Sequence, residues 1–162
     1  MKPSSLSHAE FIARFGGVYE ASPWVAEGVW PAVEAGRLDD PAALAEAMRA
    51  EVDAAPRAVK LALIGAHPRL ASRAKMADAS VKEQSDVGLD QCSAQEFATF
   101  QRLNLAYDRR FGFPFIVAVT GLTRAAILAQ FEQRLRNDPE TEFETALAQI
   151  HRIAGFRLAD LT

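Results

Sequence analysis

The sequence predicts an all-α domain of about seven or eight helices, and three observations carry that expectation. Helix-start signals recur from one end of the chain to the other, apolar residues repeat at spacings of three and four, and only Phe113 to Val119 has the composition of a strand. A single candidate strand has nothing to pair with. That segment is therefore read as a buried helix start or an extended connector.

Taken in order, Ser7 with Glu10 makes a capping box, in which hydroxyl and carboxylate satisfy backbone N–H groups left open in a first turn. Ser22-Pro23 and Asp40-Pro41 each place a capping side chain before a proline at the first helical position, and Gly36 stops the helix that starts at Pro23. Pro56 opens a short helix. Its apolar run ends at His67-Pro68, because the residue before a proline is pushed out of helical geometry. Ser93 with Glu96 is a further capping box, leading a helix whose Phe97, Phe100, Leu103 and Tyr107 form one buried stripe that Gly112 ends. Thr123 caps a helix over 124–136, and Asp138-Pro139 starts the last, which runs to about Leu161.

No low-complexity segment, long linker or repeat divides the chain, so residues 1–162 are read as one helical domain. Lys and Arg are scattered and the net charge is −3, which leaves no basic stripe for nucleic acid. Cys92 is the single cysteine, so neither an internal disulfide nor a cysteine metal cluster can form. The N-terminal residues lack the apolar core of a signal peptide. The run from Phe113 to Val119 is far short of the ~20 residues that span a bilayer. The final residues, Ala159 to Thr162, are not a peroxisomal address. The expectation is a cytoplasmic protein that uses no membrane and no nucleic acid.

Chemistry concentrates at His67-Pro68, at Ser80-Val81-Lys82-Glu83-Gln84 and at Phe111-Gly112-Phe113-Pro114-Phe115. A histidine exchanges protons near neutral pH, and a carboxylate sets its tautomer. A hydroxyl and a carboxamide bond a polar ring without adding charge. Each group also has a plainer role. His67 suits a helix C-terminus, and Ser80 with Glu83 repeats the capping pattern, although capping does not account for Gln84.

Arg157 is the odd residue of the last helix. Advancing ~100° per residue puts Phe143, Leu147, Ile150, Ala154 and Leu161 on one apolar face, with Arg157 near its centre. A snorkelling stem or a buried ion pair would account for it, and so would a fixed cation facing an anion-binding cleft. Nucleotide-phosphate loops, a Gly-x-Ser-x-Gly elbow and His-Glu-x-x-His are all missing, so a catalyst here has side chains alone to work with.

Gly65-Ala66-His67-Pro68-x-Leu70, Ser80-x-x-Glu83-Gln84 and Asn104-x-x-Tyr107-x-x-x-Phe111-Gly112-Phe113-Pro114-Phe115-Ile116 follow one another along the chain. Arg134-Leu135-x-Asn137 and Ile153-Ala154-x-x-Arg157-Leu158 complete the set. Together they resemble the OHCU decarboxylase family, which acts on 2-oxo-4-hydroxy-4-carboxy-5-ureidoimidazoline (OHCU), a late intermediate of urate breakdown. The resemblance covers essentially the whole chain. It implies an all-α fold, often a homodimer, with no cofactor and no metal, forming (S)-allantoin and CO2. It assigns His67 as catalytic acid/base, and Glu83 as its orienting partner follows from that assignment. Pro68, Ser80, Glu83 and Gln84 would line the substrate site, as would the backbone of Phe115, Ile116, Val117, Ala118 and Val119. Arg157 matches the family's arginine for the substrate anion. Two rivals share the same polar inventory: a non-catalytic protein binding a ureide or purine-like ligand, and a hydrolase of 5-hydroxyisourate.

Overall fold

The computed structural model describes residues 1–72 and 78–162, and among these it contains eight α-helices, two short 3-10 turns and no strand. The all-α expectation holds. The chain divides into two compact units, one of Met1–Ala66 with His151–Thr162 and one of His67–Ile150.

The first unit holds α1 (His8–Phe15), α2 (Trp24–Glu34), α3 (Pro41–Asp53) and α4 (Arg57–Ala66), with the end of α8 (Pro139–Leu161). Both parts of the Ser7/Glu10 capping box form. Asp40 accepts from the Ala43 N–H at 3.0 Å and starts α3 as its sequence predicts. Ser22 departs from expectation. Its hydroxyl donates to the Glu20 carbonyl at 2.8 Å, so α2 begins only at Trp24 and Pro23 caps it without a side-chain bond. The apolar stripes of these helices fill the interior with Phe11, Val25, Val33, Leu44, Val52 and Ile64, all fully buried. Each such side chain contributes about 1.5–3 kcal/mol through its removal from water.

The second unit holds α5 (Asp78–Asp86), α6 (Ala94–Phe111), α7 (Arg124–Arg134) and the start of α8. The capping box of Ser93 and Glu96 forms, and Thr123 caps α7 by accepting from Ala126 at 3.1 Å. Gly112, at φ 77°, takes the left-handed turn that ends α6 and suits a residue without a Cβ. Phe113 to Val119 is buried throughout and enters neither helix nor ladder, in line with the connector reading. Tyr107, fully buried on α6, packs edge-on against Phe115, whose ring stacks on Phe131 at 3.9 Å between centroids. No helix among the described residues is long and apolar enough to cross a membrane.

Candidate active site

α5 is built inside out. Ser80 and Gln84 are buried at 4% and 6% exposure, while Val81 between them stands 46% exposed. Positions i, i+3 and i+4 share one helix face, so half-buried Glu83 joins Ser80 and Gln84 on the inward side. Burying polar side chains costs free energy unless each is bonded, so the inward face of α5 is one of bonded polar groups. The capping role considered for Ser80 and Glu83 is not realised. α5 starts at Asp78, which puts both residues inside the helix.

His67 is the residue after α4 and is itself buried, at 6% exposure. It opens a loop that reaches Ala71, and Gln84 grips the far end of that loop. The Gln84 Oε1 accepts from the Ala71 N–H at 3.0 Å and its Nε2 donates to the Arg69 carbonyl at 3.4 Å. Gln84 thus joins the inward face of α5 to the loop that carries His67. Pro68 lies half-buried within that loop.

The segment Phe115 to Val119 is held by side chains where a sheet would use backbone. Arg134 donates to the Ile116 carbonyl, and the Gln149 Oε1 accepts from the Ala118 N–H at 2.9 Å. Val117, between them, is 4% exposed and pairs its N–H and C=O with no described residue. Buried main-chain groups are nearly always paired, so this unclaimed donor and acceptor mark a place where a ligand or water can bond.

A buried network fixes that segment. Arg134 pairs with Glu142 at 2.8 Å, at 9% and 0% side-chain exposure, and its guanidinium lies 4.4 Å from the centre of the Phe115 ring. Tyr107 and Asn137 also donate to Glu142. Burial pushes the Glu142 carboxyl up, but its bonds from Arg134, Tyr107 and Asn137 together hold it below the usual carboxylate range. Burial first, then the Glu142 carboxylate, pushes the Tyr107 phenol well up, so it stays a donor. Arg134 and Asn137 stood in the sequence without a role. Arg134, in the last turn of α7, gave no sign of its partner.

Arg157 belongs to the first unit. It is 8% exposed, pairs with Glu20 at 2.8 Å and donates to the Gly17 carbonyl at 3.4 Å. Its place on the apolar face of α8 is thus matched by a buried carboxylate.

The sequence profile of the family described as OHCU decarboxylase matches residues 4–159. The chain belongs to the OHCU decarboxylase family.

Relatives support that membership over nearly the full length. The chain is 43% identical to a 2-oxo-4-hydroxy-4-carboxy-5-ureidoimidazoline decarboxylase of Haloferax volcanii, over 96% of this chain and 90% of that one. It is 34% identical to the protein of the same name in Mus musculus, covering 99% and 91%. A uric acid degradation bifunctional protein of Bacillus subtilis is 44% identical over 90% of this chain, which spans 29% of that longer protein. A crystal structure of (S)-allantoin synthase superposes with a TM-score of 0.80 at 34% identity, over 98% of this chain and 52% of that one. An OHCU decarboxylase crystallised in the presence of (S)-allantoin shares the fold, with a TM-score of 0.71 at 23% identity, covering 90% and 95%.

Proposed function

We propose that the protein decarboxylates 2-oxo-4-hydroxy-4-carboxy-5-ureidoimidazoline to (S)-allantoin and CO2, as a cofactor-independent carboxy-lyase of urate degradation. Family membership supports the reaction. The observation that carries the reading into this chain is the inverted α5, whose Ser80 and Gln84 are buried and whose Gln84 bonds the loop of His67.

The chemistry asks little of the protein. When the carbon–carbon bond to the carboxylate breaks, CO2 leaves and the electron pair moves toward the neighbouring ring C=N, whose nitrogen takes up the charge and then a proton from solvent. The hydroxyl on the former carboxyl-bearing carbon gives up its proton and becomes a carbonyl, and a proton adds to the ureido-bearing carbon. The substrate is its own electron sink, so orientation, electrostatics and one placed proton remain to be supplied.

In this reading His67 is the acid/base, acting on the hydroxyl proton or on the ureido-bearing carbon, and Glu83 orients it. Ser80 bonds the ring or the ureido group, Pro68 shapes the wall beside it, and the unpaired main chain of Val117 bonds the ligand within Phe115 to Val119. Gln84 holds the loop in place. Arg157 is carried on the resemblance as the arginine for the substrate anion, with a separate test below. A homodimer in the cytoplasm completes the proposal, and light scattering of the purified protein reads the dimer directly.

The deciding experiment mixes purified protein with freshly generated substrate and follows both ultraviolet absorbance and product circular dichroism. The expected result is fast loss of absorbance with a single allantoin enantiomer, unaffected by a chelator. Racemic product at the spontaneous rate overturns the enzymatic reading. Tight ligand binding beside that result would make the chain a ureide-binding protein.

A further inference from the structure

The loop that begins at His67 contains a strained residue. Ala71 sits at φ 53°, in the left-handed region where a Cβ is crowded and single residues persist only if their surroundings hold them. α6 supplies much of that hold. The Asn104 Nδ2 donates to the Leu70 carbonyl at 3.0 Å, the Gln101 Nε2 to the Ala71 carbonyl at 3.4 Å, and Asp108 accepts from Arg69 at 2.7 and 2.8 Å. These three residues are spaced i, i+3 and i+7, so they form one polar stripe along α6. It runs beside the apolar stripe of Phe100, Leu103 and Tyr107.

Asn104 is the buried member, at 4% exposure. Its Nδ2 is committed to Leu70, which fixes the amide's orientation. Its Oδ1 therefore cannot be satisfied by a flip, and it has no partner among the described residues. The Asp108 Oδ1, one turn further along, is in the same state. A buried acceptor left over is a cost that good packing alone would have removed by using leucine. The donor on the other side of the same amide is what leucine could not supply.

We propose that Asn104 is a positioning residue for His67. It acts through the Leu70 carbonyl, together with the Asp108–Arg69 pair, and it fixes the strained loop in the one shape that aims the imidazole. The inference rests on the proposed role of His67, and it deepens that reading by assigning the support of the catalytic loop to the polar stripe of α6.

The test uses Asn104→Leu, which removes donor and orphan acceptor together and keeps the shape. Its melting temperature is expected to fall only modestly, because the orphan acceptor leaves with the donor while the Leu70 carbonyl loses its partner. Its kcat falls by ~10²-fold, the scale of a small misplacement of a catalytic group, with KM little changed. Asp108→Asn shows the same split in milder form, and the double variant is less than additive because both residues act on one loop. In long-range proton–nitrogen spectra the ring signals of His67 move in Asn104→Leu, while those of His8 and His151 stay. Should Asn104→Leu fail to fold, Asn104→Ser, with its smaller donor, carries the same measurements. A lowered melting temperature with parental kcat and unmoved His67 signals overturns the proposal. Parental protein that turns over no substrate defeats the decarboxylase reading alone, and the ring signals still decide the positioning role.

Discussion

Glu20 and Arg157 hold each other at 2.8 Å, with 6% and 8% of their side chains exposed. Removing one member of a buried pair leaves the other charged and unpaired, while replacing both with apolar residues is often neutral. Arg157→Met alone is therefore expected to lose about 3–5 kcal/mol in denaturant unfolding. The double variant Glu20→Leu/Arg157→Met should recover most of that loss. On the double variant, calorimetric titration with allantoin isolates any ligand contribution. The proposal expects a deficit of about 1.5–3 kcal/mol, the size of a charge-assisted hydrogen bond. Parental affinity would remove Arg157 from the ligand's surroundings.

His67→Asn should cut turnover by ~10²–10⁴-fold, the usual worth of a placed acid/base group. Because His67 is buried, the smaller side chain costs some packing, about 1 kcal/mol in thermal unfolding. Glu83→Gln keeps the shape without the charge and is expected to lower kcat with stability unchanged. Stability loss with intact turnover, in either variant, would make that residue a structural one.

His151 predicts an acid-sensitive first unit. Its Nε2 faces Asp53 at 3.0 Å and its Nδ1 faces the Tyr19 hydroxyl at 2.8 Å. A carboxylate can only accept, so Nε2 carries the proton and Nδ1 accepts from tyrosine in the neutral ring. Burial lowers its pKa from the ordinary 6.5, and this outweighs Asp53, which raises it, with Arg49 lowering and Glu46 raising it further out. The folded state thus favours the neutral ring. Its stabilising share is present above pH 6.5 and is lost as pH falls through the lowered folded value. Melting temperature should drop as pH falls from 6.5 toward that lowered value, and His151→Gln should flatten the drop. An unchanged slope in the variant would show that the loss arises elsewhere.

Glu142 governs a separate, lower window. Its folded carboxyl lies below the ordinary 4.5, so its contribution is present above that pH and is lost only on further acidification. Glu142→Gln strands Arg134 and should cost about 3–5 kcal/mol at neutral pH, while removing part of the acid limb below pH 4.5. Urea unfolding across pH measures both. A neutral-pH loss under 1 kcal/mol, on the scale of an exposed pair, would mean that the network does not hold the Phe115 to Val119 segment.

Local signals made most of the helices legible. Ser7, Asp40, Ser93 and Thr123 each bond the first turn that follows them, because capping is settled within four residues of chain. Where a hydroxyl had another carbonyl in reach, as at Ser22, the local rule lost to the local competitor. Ser80 lost the cap because its helix starts upstream. The candidate site was legible in its oddities, an arginine on an apolar face and a glutamine with nothing to cap, but not in its partners. Glu20 is 137 residues from Arg157, and nothing local pairs them. Asn104 was legible only as a motif position, and Gln101 and Asp108 not at all, because polar residues at helical spacing look like a solvated face. Only the loop of Arg69 to Ala71, bonded along α6, covers Asn104, while Gln101 stays exposed.

The anchoring of Ile116 and Ala118 by Arg134 and Gln149 has a consequence for how this protein can vary. A wall that offers main-chain atoms keeps them through almost any substitution of its own residues. Exchanging Val117 for isoleucine or alanine reshapes the surface but deletes no donor or acceptor, and proline alone would remove the N–H. Drift along this stretch is therefore tolerated as long as the side chains stay apolar. The vulnerable positions lie elsewhere in the chain, at the two polar side chains that hold it open.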